Sequence, residues 1–176
     1  FNDMLEEIEQ QQTALADNEE RFRSLVETTS DWIWELDRHG NYTYASPKVG
    51  DLLGYEPQQV YGKSPADFMT PESARRFALA LDQMVQSKRP VLGLESEGVH
   101  KSGERVVFEM NSVPILDGGG NLVGYRGMDR DITDRKRMEE KLEAQRTLEL
   151  RSDRLRSLGE MAAGIAHELN QPLTGV

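Results

Sequence analysis

The sequence contains no cysteine in 176 residues. Disulfides, thiolate metal sites and cysteine nucleophiles are therefore excluded. It also lacks any run of about 18 apolar residues, the length of a membrane-spanning helix, and it has no signal peptide. Positive charge is in deficit: the formal net charge is -10. That argues against nucleic acid or an anionic membrane surface as a direct partner. No nucleotide-binding signature is present, because Gly118-Gly119-Gly120 is not followed by Lys-Ser/Thr and reads as a turn. No paired acid and base or metal cluster stands out. What remains is a chain with 37% hydrophobic residues, enough for one core of about 100–150 residues plus extensions. It opens on Phe1 and closes at Val176 inside a helical pattern, so a soluble piece of a longer protein is expected.

The first 26 residues contain no Gly or Pro. Phe1, Leu5, Ile8, Gln12, Leu15, Glu19, Phe22 and Val26 alternate steps of four and three, a heptad seam with polar positions at Gln12 and Glu19. So narrow a seam calls for a second helix, and a parallel two-stranded coiled coil is expected. The alternative is one amphipathic helix lying on the globular domain.

The middle of the chain changes period. Asp31 to Asp37 and Asn41 to Ala45 read as strands around a turn at His39-Gly40. Short helical pieces follow, punctuated by Gly54, Pro57, Gly62, Pro65 and Pro71. A longer helix is expected over Pro71 to Lys88, with Thr70 as N-cap. Three strands come next: Val91 to Val99, Glu104 to Pro114 and Asn121 to Arg130. Turns at Lys101-Ser102-Gly103 and Asp117-Gly118-Gly119-Gly120 separate them. The order β-β-α-α-α-α-β-β-β implies an α+β class, a five-stranded antiparallel sheet with helices on one face.

From about Ile132 onward the pattern is helical again, with Thr133 as an expected N-cap. Met138, Leu142 and Gln145 set one apolar phase; Leu148, Leu155, Leu158, Ala162, Ile165 and Leu169 set another. A phase change near Leu148 means local over- or underwinding in a coiled coil. At about 100° per residue, His167 lies about 180° from Leu158 and so points away from the apolar seam. Small residues flank it: Ala163, Gly164 and Ala166. Glu168 can hold the proton of one ring nitrogen, which leaves the other as nucleophile. Pro172 permits a kink just beyond. A solvated surface histidine and a phospho-accepting histidine both fit this geometry. A zinc protease does not, because His-Glu-x-x-His would need histidine where Gln171 stands.

His167-Glu-Leu-Asn-Gln-Pro-Leu173, preceded by Ser157-Leu-Gly-Glu-Met-Ala-Ala-Gly-Ile-Ala166, resembles the H-box of the dimerisation and histidine-phosphotransfer domain of histidine kinases. The resemblance implies that His167 accepts the γ-phosphoryl group of Mg-ATP and that Glu168 acts as base. It implies that Gln171, where many members carry Thr or Asn, helps dephosphorylate the response regulator. The middle segment resembles a PAS domain with its C-terminal PAC motif. The carrying residues are Asp31 to Asp37, Ser46-Pro47, Leu53-Gly-Tyr-Glu-Pro57, His100-Lys-Ser-Gly103 and Gly124 to Thr133. Phe1-Asn-Asp-Met-Leu5 resembles the end of a HAMP helix, which implies a membrane-anchored parent with this portion in the cytoplasm.

The expected organisation is a HAMP-like coiled coil over 1–21, a PAS/PAC sensor over 22–134, a signalling helix over 135–156 and the truncated phosphotransfer helix over 157–176. PAS domains bind ligands between the inner sheet face and the helices. Alternation offers Trp34 and Leu36, Phe108, Met110 and Ser112, and Leu122, Arg126 and Met128 for that face; the alternative is that they simply fill a core. An inward Arg126 would need an anionic partner: Asp129, Glu109 or a carboxylate ligand. In light-sensing relatives a polar residue on the last strand reports cofactor state to the exit helix, so Arg126 is the expected gate. Asp131 and Thr133 are the expected relay. A flavin adduct would need a cysteine. Haem would need an axial ligand, and the helix Ser73 to Lys88 has no His; His39 and His100 fall at turns. No cofactor and no metal are expected in the fragment. The ATP-binding domain is expected after residue 176, so the fragment alone is expected to be inactive. The partners implied are a second copy and a response regulator. A non-catalytic PAS and coiled-coil scaffold is the competing function.

Overall fold

The computed structural model describes residues 2–170. It falls into two units, one through Thr133 and one from Asp134 onward.

In the first unit, alternation decides the sheet. Trp32, Trp34 and Leu36 are buried on β1 (Trp32–Asp37) while the residues between them are half-buried. β2 (Tyr42–Ala45), β3 (Val91–Val99), β4 (Arg105–Leu116) and β5 (Leu122–Asp131) complete a five-stranded sheet. Its order is β2-β1-β5-β4-β3, and the strand pairs are antiparallel. Chain-adjacent hairpins form β1–β2, β3–β4 and β4–β5, and the long excursion from β2 to β3 carries the helices α2 (Lys48–Leu53), α3 (Pro57–Val60), a 3-10 turn (Pro65–Phe68) and α4 (Pro71–Ser87). Thr70 caps α4, its hydroxyl accepting from Ser73 N at 3.4 Å. The side chains between sheet and helices form one core, with Val49, Leu53, Val60, Phe68, Phe77 and Met84 packed over Trp34, Leu36, Phe108 and Met110. The expected α+β architecture with a five-stranded antiparallel sheet is the observed one.

Two turns share one construction. Asp37 Oδ1 accepts from the backbone N–H groups of His39 and Asn41, and Asp117 Oδ1 accepts from those of Gly119 and Asn121. Gly40 and Gly120 occupy the same place in each, at φ 84° and 79°, a region open to glycine at little cost. The amides, first that of Asn41 and that of Asn121, hold both carboxyls below the usual range.

Helix α1 (Asn2–Thr28) runs unbroken across the boundary expected at residues 21 and 22. Its last turns meet the sheet: Val26 is buried, and the Phe22 and Tyr44 rings lie 6.4 Å apart. Ile8 and Leu15 remain exposed.

The described residues of the second unit belong to one helix, α5 (Thr133–Asn170), without a break at Leu148. Among the described residues no helix is long and apolar enough to cross a membrane.

Candidate functional site

Two places carry the residues singled out by the sequence. The first is the inner face of the sheet. Trp34, Leu36, Phe108, Met110 and Ser112 all lie there, each at most 2% exposed, and Leu122 packs partly buried against the same core.

Arg126 and Met128 do not join them. Both lie on the opposite face: Arg126 forms an ion pair with Glu35 at 2.6 Å, with its side chain 55% exposed, and Met128 is 37% exposed. The expectation of an inward arginine gate is therefore corrected. The reason is one extra residue in β5. Leu116 faces Leu122, but Ile115 faces Gly124, so Val123 is a bulge. A bulge shifts the period-two alternation by one. Counting from Leu122 by twos reaches Arg126 and Met128, whereas the strand presents Tyr125, Gly127 and Asp129 inward.

Asp129 is thus the polar group that the pattern missed as a core residue. It is 2% exposed and lies opposite Trp32 on β1 and Met110 on β4. Its Oδ1 accepts the indole N–H of Trp34 at 2.9 Å. Gly127 makes this possible: a Cβ there would collide with the Trp34 ring and with the Asn111 carbonyl. Burial raises the Asp129 carboxyl to about 7, against the lowering effect of the Trp34 bond and with a further push from Asp31. Burial, and then Asp129, raise the Tyr42 phenol as well. Asp31 is held by Arg130, whose Nε and Nη2 donate to its two oxygens at 3.1 and 3.0 Å. Three buried polar atoms have no hydrogen-bond partner among the described residues: Trp32 Nε1, Ser96 Oγ and Ser112 Oγ. An open cleft of about 180 Å³ lies beside Trp32 and Asp129, lined also by Ser30, Lys48, Asp51, Leu52 and Asp131.

Asp131 and Thr133 form a clasp at the end of β5. Asp131 Oδ1 accepts from Thr133 N at 2.8 Å. The Thr133 hydroxyl accepts from Val107 N at 3.0 Å and donates to Val107 O at 3.3 Å. Ile132 N donates to the same carbonyl. The structure places Thr133 as the first residue of α5 rather than the capping residue before it. Its hydroxyl bonds β4, and the carboxylate of Asp131 accepts from the first amide of the helix. His39 is exposed on its turn. His100 is half-buried, its Nδ1 2.7 Å from Ser102 Oγ, and its ring fills the space over Gly54.

The second place is the end of α5. His167 is exposed there, as are Ala163, Gly164 and Ala166. Leu155, Leu158, Met161 and Ile165 are each more than half exposed. The Gln171 role expected from the H-box falls outside the described residues.

Comparison with known proteins places this geometry. A family model described as "PAS fold" matches residues 26–137. The C4-dicarboxylate transport sensor protein DctS of Rhodobacter capsulatus is 26% identical over 155 residues, covering 88% of this chain and 24% of its own length. The methanogenesis regulatory histidine kinase FilI of Methanothrix harundinacea is 31% identical over 136 residues, covering 77% of this chain and 15% of its own length. The chain thus spans a quarter or less of these two relatives, and it is homologous to the PAS-containing part of sensor histidine kinases. Among solved structures, a PAS domain from Colwellia psychrerythraea superposes with a TM-score of 0.60 at 23% identity, covering 65% of this chain and 97% of its own. The helices gathered on one face of a β2-β1-β5-β4-β3 sheet and the match from 26 to 137 lead to one assignment: the chain belongs to the PAS fold family.

Proposed function

We propose that this chain is the sensing and relay region of a two-component histidine kinase. In this reading the PAS unit controls transfer of the γ-phosphoryl group of Mg-ATP to His167, and from there to a response regulator. The observation that supports it best is the exposed His167 among small residues, within Ser157 to Leu173, in a chain homologous to sensor histidine kinases. Phosphoryl transfer is mostly positioning plus charge stabilisation. What α5 supplies is an accessible imidazole on a rigid helix, with space for an ATP-binding domain and later for a receiver aspartate. Glu168 is the base in this scheme, holding one ring nitrogen's proton so that the other attacks. Gln171 assists the opposing reaction, in which water hydrolyses the phosphoaspartate of the response regulator and releases inorganic phosphate. Asp131 and Thr133 relay the state of the sheet into α5.

The active form in this proposal is a parallel homodimer, cytoplasmic, within an inner-membrane parent. Its support is the uncovered apolar residues of α1 and α5, which need partner helices. The test uses the full-length protein. His167→Gln is expected to abolish acid-labile, base-stable phosphate while folding and self-association persist. Glu168→Ala is expected to slow transfer by about 10²–10⁴. Phosphohistidine persisting in the His167→Gln protein would refute the assignment.

A further inference from the structure

The carboxylate of Asp129 has an unusual setting for an acidic residue. It sits in the core with Trp34 Nε1 as its hydrogen-bond donor at 2.9 Å. Burying an ionised carboxylate on so little support is costly. The charges around it do not relieve that cost. Asp31, just before β1, is like-charged and already bound bidentately by Arg130. Tyr42 on β2 is a buried neutral phenol. On α2, Lys48 pairs with Asp51 at 2.8 Å. Asp131 on the same strand is another acid, engaged with Thr133 N. From β4 the residue opposite is Met110, which does not titrate. A proton resolves the conflict, and the cleft lined by Asp129, Ser30, Lys48 and Asp51 gives solvent a route to it.

Trp32 supplies the other half of a device. It lies directly across from Asp129, on the same face, where Cβ atoms are about 4.5–5.5 Å apart. Its indole N–H is buried without a partner among the described residues. An ionised Asp129 would draw that donor in, while a protonated one leaves it idle. Two residues further along β5 the chain reaches Asp131 and the clasp on Val107.

We propose that Asp129 is a proton switch in the core, whose ionisation recruits the Trp32 indole and is transmitted along β5 to the Asp131–Thr133 clasp where α5 begins. The input is the proton itself, acting on the PAS unit independently of whether His167 is phosphorylated.

The test is an NMR titration of this chain with labelled carboxyl carbons, backbone amides and indoles. The chain has two tryptophans, so each indole N–H gives its own signal. The Asp129 carboxyl is expected to titrate within about one unit of pH 7. The Trp32 indole and the Val107 and Thr133 amides are expected to move with the same midpoint, and Asp129→Asn should remove that titration from all three. The chain's three histidines remain in the variant, so a titration that survives there belongs to them and overturns the proposal. A carboxyl midpoint near the ordinary value of about 4 overturns it too, as do indole and clasp signals that stay still while Asp129 titrates. Should Asp129→Asn fail to fold, the wild-type carboxyl and indole curves decide alone.

Discussion

The sheet unit buries Trp34, Leu53, Phe108 and Met110 almost completely, whereas α5 leaves Leu148, Leu155, Leu158 and Ile165 between 58% and 70% exposed. The sheet and the helices over it largely satisfy themselves. The strands are paired, two of the hairpin turns are closed by their own aspartates, and the apolar side chains between sheet and helices meet one another. The second region is 38 residues of helix, whose apolar residues have no covering among the described residues. Isolated helices draw most of their stability from packing an amphipathic face. The contrast separates a part that packs its apolar residues against one another from a part that leaves them exposed among the described residues.

The sharpest way to break that contrast is to damage the self-sufficient part. Trp34→Ala removes a fully buried ring and leaves Asp129 without its donor; a loss of about 3–5 kcal/mol is expected in denaturant unfolding. Gly127→Ala leaves every side chain in place yet pushes a methyl into the Trp34 ring and the Asn111 carbonyl; about 1–3 kcal/mol is expected from the same measurement.

The pH dependence sharpens it further. Asp129 binds its proton more tightly folded than unfolded, because burial raises it to about 7. The folded state therefore holds more protons from about pH 4 to 7, and this group's contribution to stability falls as pH rises through that window. Asp37 and Asp117 work in the opposite sense. Their lowered carboxyls contribute stability above the ordinary value of about 4, and lose it as pH falls further. Unfolding curves of Asp129→Asn should lack the decline between pH 4 and 7 and keep the loss in acid.

Smaller effects fall where exposure is high. Arg126→Ala breaks a pair with Glu35 on the outer face, half exposed on the arginine side; less than about 1 kcal/mol is expected. Leu158→Ala should leave the unfolding of the sheet unit unchanged. In the proposed homodimer it should instead weaken self-association in sedimentation, because Leu158 is 62% exposed on α5. A destabilised sheet with intact association would contradict the contrast.

Much of the sheet was legible because β1 and the middle of β4 alternate cleanly. Trp32, Trp34 and Leu36 announce a buried face, and Thr70-Pro71 announces the start of α4. The inward side of β5 was not legible beyond Leu122. A bulge leaves no mark in composition; Val123 reads like any strand residue. The signal that could have exposed it is the triplet Tyr125, Gly127, Asp129: a glycine paired with the large Trp34, and a tyrosine paired with Leu36, are more natural opposite the core than Arg126. The role of Thr133 was misread for a related reason. Thr before a helix fits a cap, and nothing local says that β4 lies close enough to take its hydroxyl. At His167 the helical phase pointed to an exposed ring, and the ring is exposed.

The bulge at Val123 also has a consequence for tolerance to length change. β5 is anchored twice, by the Asp117–Asn121 turn at one end and by the Val107–Thr133 clasp at the other. Counting residues from the two anchors assigns opposite faces to the same side chain, so the strand is a ruler with two zeros. Val123 is where the two scales are reconciled. A residue gained or lost between Asn121 and Gly124 falls on the slack side and leaves Asp129 opposite Trp32 and bonded to Trp34. The same change between Tyr125 and Asp129 has no slack to consume, and it would exchange a buried acid for its outward neighbour.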